Sequence, residues 1–169
     1  IDVTATGQQN LEAAYGDARN TLDDSYLKIY NALDVVKTVQ IIYFYKGDQE
    51  SIAVADSKKS IENSLAEAKF SLDAAKADSK DENVESALFV MKKSLEEAAS
   101  ALTTVRQNCD VSVYRDAVSL AHKTSLDTQR TYINTALTNI VNAQQAISLA
   151  KVTNDTNINA AKNDVLAGQ

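Results

Sequence analysis

Tyr15, Leu22, Ile29, Val36 and Tyr43 recur at strict seven-residue spacing, with Ala18, Ser25, Ala32 and Val39 three positions behind the first four of them; no other feature constrains this chain as much. Large residues at one core position and mostly small ones at the other make a heptad seam, which only a helix buried against other helices can use. The pattern returns near the other end, where Leu126, Ile133, Ile140 and Ile147 repeat every seven residues and Ala136, Ala143 and Ala150 follow the last three. Pro is absent and Gly stands only at 7, 16, 47 and 168, so few points interrupt a long helix. The chain reads as all-α.

Four helical segments follow, at about 10–45, 50–78, 83–106 and 112–166, forming a single helical domain over 1–169. Gly47 sits where a C-cap takes a left-handed residue, and Asp48 is placed to cap the next helix. The second segment carries Val54, Ile61, Leu65, Ala68, Leu72 and Ala75. Ser79-Lys80-Asp81-Glu82 has the form of a capping box, and the third segment then runs Val84, Leu88, Met91, Leu95, Ala98, Leu102, Val105. A polar turn at 107–112 opens the fourth segment. Beyond Lys151 a strict heptad would bury Asn154 and Asn157, and the apolar series resumes at Ile158, Ala161 and Val165 after a four-residue stutter.

Short breaks make successive helices antiparallel neighbours, so the expected architecture is an elongated up-down-up-down four-helix bundle. At ~1.5 Å per residue the first helix reaches back only to about residue 147, leaving about twenty residues of an overhanging C-terminal helix. Its apolar stripe then needs a cover: chain preceding Ile1, a partner, or residues 1–10 folded back along it. Val3, Thr4 and Thr6 are weak helix formers and count against the last option. A start at Ile1 without an initiator Met reads as a mature or excised fragment of a larger protein.

A formal charge of −6 argues against nucleic acid or an anionic bilayer as partner, since both need clustered Lys and Arg. Thr131 to Ala150 holds no charged residue, yet nine of its twenty side chains are Thr, Asn, Gln or Ser, too many for a helix inserted in lipid. It reads as a soluble helix with a packed front and an uncharged back. Asn134, Thr138 and Asn142 on that back form a candidate packing or oligomer face, against the plainer reading of a neutral solvated surface.

No catalytic, cofactor or metal site is expected. Asp23-Asp24, Asp81-Glu82 and Glu96-Glu97 are adjacent pairs whose side chains diverge by about 100° on a helix, and no Glu-x-x-His accompanies them. His122 and Cys109 are each the sole residue of their type; His122 reads as a polar surface or seam position and Cys109 as a bystander in a loop. The glycines are isolated, so no phosphate loop exists. The most apolar run is Val39 to Tyr45. Its last five residues, Ile41, Ile42, Tyr43, Phe44 and Tyr45, either cap the core beneath the 46–50 loop or form an exposed tip for a partner or small molecule; periodicity does not decide which of them turn inward.

INTALTNIVNAQQAISLAKVTNDTNINAAKNDVLAGQ, residues 133–169, resembles the returning helix of the α-helical hairpin in periplasmic adaptor, or membrane fusion, proteins of secretion and efflux systems. QQNLEAAYGDARNTLDDSYLKIYNALDVV, residues 8–36, is similar to the outgoing helix of their longer four-segment hairpins. The resemblance implies a non-enzymatic strut in the periplasm or another extracytoplasmic space. Its partners would be proteins: its own remaining domains, neighbouring protomers or a channel component. The Arg, Leu, Ser series that some adaptors carry at seven-residue steps near the tip is here Arg130, Leu137 and Gln144, in mid-helix, so docking through that series is not implied. A ligand-sensing four-helix domain of a chemoreceptor or sensor kinase is the alternative, matching length and acidity but lacking a convergent Arg pair. Tandem three-helix modules of a surface protein are suggested by SLAEAKFSLDAAK and SLEEAASALTTV, without a second full repeat.

Overall fold

A computed structural model describes residues 3–77, 81–111 and 113–167. It is all-α, with no strand among the described residues. Helix α1 spans Val3–Tyr43, α2 Gln49–Ala77, α3 Asp81–Asn108, α4 Tyr114–Ala117 and α5 Leu120–Ala167. Cross-helix contacts fix the directions. Lys37 pairs with Glu62 at 3.3 Å and Asp23 with Lys76 at 2.5 Å, so α2 returns along α1. Ser64 Oγ donates to Glu97 Oε2 at 2.6 Å and Lys93 pairs with Glu67 at 3.7 Å, so α3 returns along α2. Tyr15 near the start of α1 donates to Glu85 near the start of α3, making those two parallel. Tyr43 meets His122 and Gly7 meets Asn154, so α5 runs back along α1. The result is up-down-up-down.

The core is the heptad seam. Tyr15, Leu22, Ile29 and Val36 are buried with Ala18, Ser25, Ala32 and Val39 between them, and Leu126, Ile133, Ile140 and Ile147 are buried on α5. The α3 stripe from Val84 to Val105 is wholly inside. Burying each large side chain of this kind contributes roughly 1.5–3 kcal/mol before conformational entropy is set against it. The helix-bridging ion pairs are largely exposed and contribute little beyond alignment.

The structure corrects the expected boundaries at both ends of the bundle. Helix α1 begins at Val3, not near residue 10, and pairs with α5 beyond the end of the α2–α3 hairpin. A Cβ added at Gly7 would lie 2.9 Å from Asn154 Oδ1, 3.0 Å from Asn157 Nδ2 and 3.3 Å from Asn154 Cα. Helix-to-helix packing at this glycine outweighs the weak propensities of Val3, Thr4 and Thr6. The twenty-residue overhang shrinks accordingly, because Thr4 lies beside Ile158 and Ala161 and only the last turns of α5 outrun α1. The heptad also persists where a stutter was expected, since Asn154 is buried and a residue without a side chain stands opposite.

At the other end, the fourth segment is not one helix. Val118 is extended at ψ 119°, separating α4 from α5. Ser119 restarts the helix by accepting the His122 N–H on its Oγ at 3.3 Å. Gly47 takes the expected left-handed conformation at φ 74°, and Asp48 caps α2 by accepting the Ser51 N–H on Oδ1 at 2.8 Å. The proposed capping box at 79–82 lies partly outside the described residues; α3 starts at Asp81.

Candidate functional site: the distal end of the bundle

Three chain connections converge where α1 ends and α5 begins, and two tyrosines close that end. Tyr114, carried by the single turn of α4, is buried; its ring stacks on Phe44 at 4.3 Å between centroids. Its hydroxyl donates to Asp48 Oδ2 at 2.5 Å and lies 3.1 Å from Ser51 Oγ. Hydrogen bonds from Ser51 and Tyr114 hold the Asp48 carboxyl below the usual carboxylate range. Burial, and then the bond to Asp48, raise the Tyr114 phenol. Tyr43 stands on the other side, with Oη 2.9 Å from His122 Nδ1 and the two rings edge to face at 5.5 Å. The Ser119 N–H donates to the same hydroxyl at 3.4 Å. The end is therefore a closed plug.

The run from Ile41 to Tyr45 divides between the two roles open to it. Phe44 and Tyr43 turn inward as described. Ile41, Ile42 and Tyr45 remain outside, Ile41 at 75% and Tyr45 at 71% exposure, and Ile52, Val113 and Leu120, at or next to the starts of α2, α4 and α5, are exposed as well. Sequence patterning located the run but missed Tyr114, Val113 and Leu120, which belong to a segment without heptad order. The one available signal was Ser119-Leu120-Ala121-His122, a capping-box spacing with His at the last position.

Cys109 is not a loop bystander. It follows the last turn of α3, is fully buried, and its Sγ lies 3.2 Å from the Val105 carbonyl. Burial pushes its thiol up to about 11. Around it Arg106 pairs with Asp110 and, through Nε at 3.1 Å, with Asp127, while Lys123 reaches Asp110 at 3.0 Å. Hydrogen bonds from Lys123 and then Arg106 keep the Asp110 carboxyl low. These charges tie α3 to α5, and Arg130, 3.2 Å from Asp127, joins Arg106 on that carboxylate.

A second polar cluster marks where the four-helix part gives way to the α1–α5 pair. Glu85 accepts from Tyr15 and from Lys151 Nζ at 2.5 Å. Burial alone would raise the Glu85 carboxyl; the bonds from Lys151 and Tyr15 outweigh it and hold the group low. The Tyr15 phenol is pushed up to about 12, by burial first and Glu85 second.

Two of the adjacent carboxylate pairs diverge as expected: Asp23 reaches Lys76 and Asp24 reaches Lys28, while Glu96 reaches Lys92 and Glu97 reaches Ser64. Among the described residues no three His, Cys, Asp or Glu side chains gather in a way that would hold a metal, and no helix is long and apolar enough to cross a membrane. Asn134, Thr138 and Asn142 are exposed on the outer face of α5. Set beside known proteins, the chain matches no family model, no curated protein and no solved structure.

Proposed function

We propose that this chain is a non-enzymatic helical strut that holds protein partners apart and together, of the kind formed by the hairpin of periplasmic adaptor (membrane fusion) proteins in secretion or efflux. The observation that carries the reading is the division of the molecule into two ends. At one, α1 and α5 leave the α2–α3 hairpin side by side as a two-helix stalk; at the other, buried Tyr114 and half-buried Tyr43 close the bundle beside exposed apolar side chains. A strut needs such a stiff span and a preformed contact surface. In this reading the Ile41, Ile42 and Tyr45 rim meets a channel component, Asn134, Thr138 and Asn142 face neighbouring protomers, and the location is extracytoplasmic.

The sensor-domain reading rests on a groove between α3 and α5 lined by Glu85, Phe89, Gln144, Ser148 and Lys151. Lys151, its only cation, is already engaged by Glu85. A thermal-shift screen against amino acids, dicarboxylates and sugars separates the two. A strut gives no stabilisation at millimolar ligand, whereas a sensor gains ~2.7 kcal/mol at a hundredfold excess over Kd, a shift of several degrees. One such hit that is lost on Lys151→Ala would replace the strut with the sensor.

A further inference from the structure

Four cations and two carboxylates form one connected surface where α3, α4 and α5 meet, and we infer that this surface takes a short acidic segment of a protein partner. The contacts make it continuous. Arg115 Nε donates to the Asp110 carbonyl at 3.1 Å, and Lys123 Nζ lies 3.0 Å from the Asp110 carboxylate. Arg106 bridges Asp110 and Asp127, and Arg130 Nη1 ends the row on Asp127 at 3.2 Å. Thr103 and Gln107 complete the walls of an open groove of about 320 Å³ that holds both Arg106 and Arg130.

Stoichiometry selects an anion. Two carboxylates answer four cations, and Arg115 is held through a backbone carbonyl, so among the described residues no carboxylate pairs with it. Arg130 spends one nitrogen, Nη1, on Asp127, which leaves the rest of its fork for the two-point grip that a guanidinium gives a carboxylate. Position then selects a short segment over a long polyanion. Residues 106–130 hold four Lys or Arg against three Asp, whereas the remainder of the chain holds thirteen against twenty. Nucleic acid or an anionic bilayer would run onto that negative remainder, while a few carboxylates stay within the cationic surface. Each solvent-exposed pair is weak by itself, so free dicarboxylates do not hold at millimolar concentration; several carboxylates on one segment act together. Clusters of Arg recognise acidic motifs in this way. The inference goes beyond the strut reading, which stands or falls without it.

The test is fluorescence anisotropy of a labelled, end-blocked hexaglutamate peptide titrated with the whole chain at about 25 mM salt, where surface charges are little screened. A Kd on the order of 100 μM is expected, weakening by about tenfold at ~150 mM salt. Arg130→Gln and Arg115→Gln should each weaken binding by about threefold or more, and the double variant by about tenfold, with the helical circular dichroism retained. Lys59→Gln, which removes an exposed cation of α2, should leave it unchanged. No binding up to ~1 mM overturns the inference, as does an equal loss in Lys59→Gln, which would mean attraction by charge at large. Displacement of the peptide by inorganic phosphate at matched ionic strength would reduce the groove to a small-anion site. Tighter, Arg130-dependent binding of a single-stranded oligonucleotide would assign it to nucleic acid. Either result overturns the acidic segment.

Discussion

Substituting alanine at two glycines of the same helix should stabilise the fold at one and not at the other. Gly7 and Gly16 both lie inside α1, and an interior Gly→Ala change favours a helix by about 1 kcal/mol. At Gly16 nothing lies within 4 Å of a built Cβ, so the full gain should appear, worth about 2–4 °C in Tm for a domain of this size. At Gly7 the same Cβ meets the Asn154 backbone at 3.3 Å and two amide groups at about 3 Å. The amides can rotate away, but the Cα moves only if α5 backs off by a few tenths of an ångström. Overpacking of this kind costs about 1–3 kcal/mol, which cancels or exceeds the propensity gain. Urea denaturation followed by helical circular dichroism should therefore separate Gly16→Ala from Gly7→Ala by about 1–3 kcal/mol. Faster hydrogen exchange at residues 150–158 should mark the Gly7 variant, because the stalk opens locally. Equal stabilisation by both alanines would show that α1 and α5 are not packed at Gly7.

The core and the buried titratable groups give three more tests. Ile133→Ala removes a fully buried α5 seam residue and should cost about 2–5 kcal/mol, whereas Leu149→Ala on the open face should stay within about 0.5 kcal/mol in the same urea titration. Tyr15 is held protonated up to about 12 in the folded chain and to about 10 unfolded; the unfolded chain loses its proton first, so this contribution is intact below pH 10 and is lost as pH rises toward 12. Urea midpoints from pH 9 to 12 should fall less steeply in Tyr15→Phe than in the wild type, and parallel curves would remove Tyr15 from the alkaline transition. Cys109, buried and protonated at pH 8, should resist a thiol reagent in the native protein and react fully in denaturing urea; rapid native labelling would mean that the distal plug opens.

What the sequence disclosed follows from how each part is held. Heptads state which face of α1, α3 and α5 is buried, because the same spacing repeats over many turns, and the Gly47-Asp48 junction states its own backbone chemistry. The break at Val118 was hidden because residues 113–119 lack a repeat; what holds them is Tyr114 reaching Phe44, Asp48 and Ser51, all distant in the chain. The start of α1 was hidden for a related reason. Val3, Thr4 and Thr6 argue against helix locally, while the favourable partner, Asn154 opposite Gly7, is visible only once α5 has been laid beside α1. For the tip, composition marked Ile41 to Tyr45 as unusual, and only tertiary contacts sorted Tyr43 and Phe44 from their exposed neighbours.

The stalk also sets an order of assembly. Helices α2 and α3 are consecutive and can zip together from their connecting turn, whereas Gly7 meets Asn154 only after nearly the whole chain exists. Contacts between such distant residues bear the greatest loop-closure entropy and form late. During synthesis α2 and α3 can cover their share of the α1 seam first, while the part that faces α5 stays uncovered until α5 has emerged. The same stretch should be the first to separate when the folded chain is heated or pulled from its two ends.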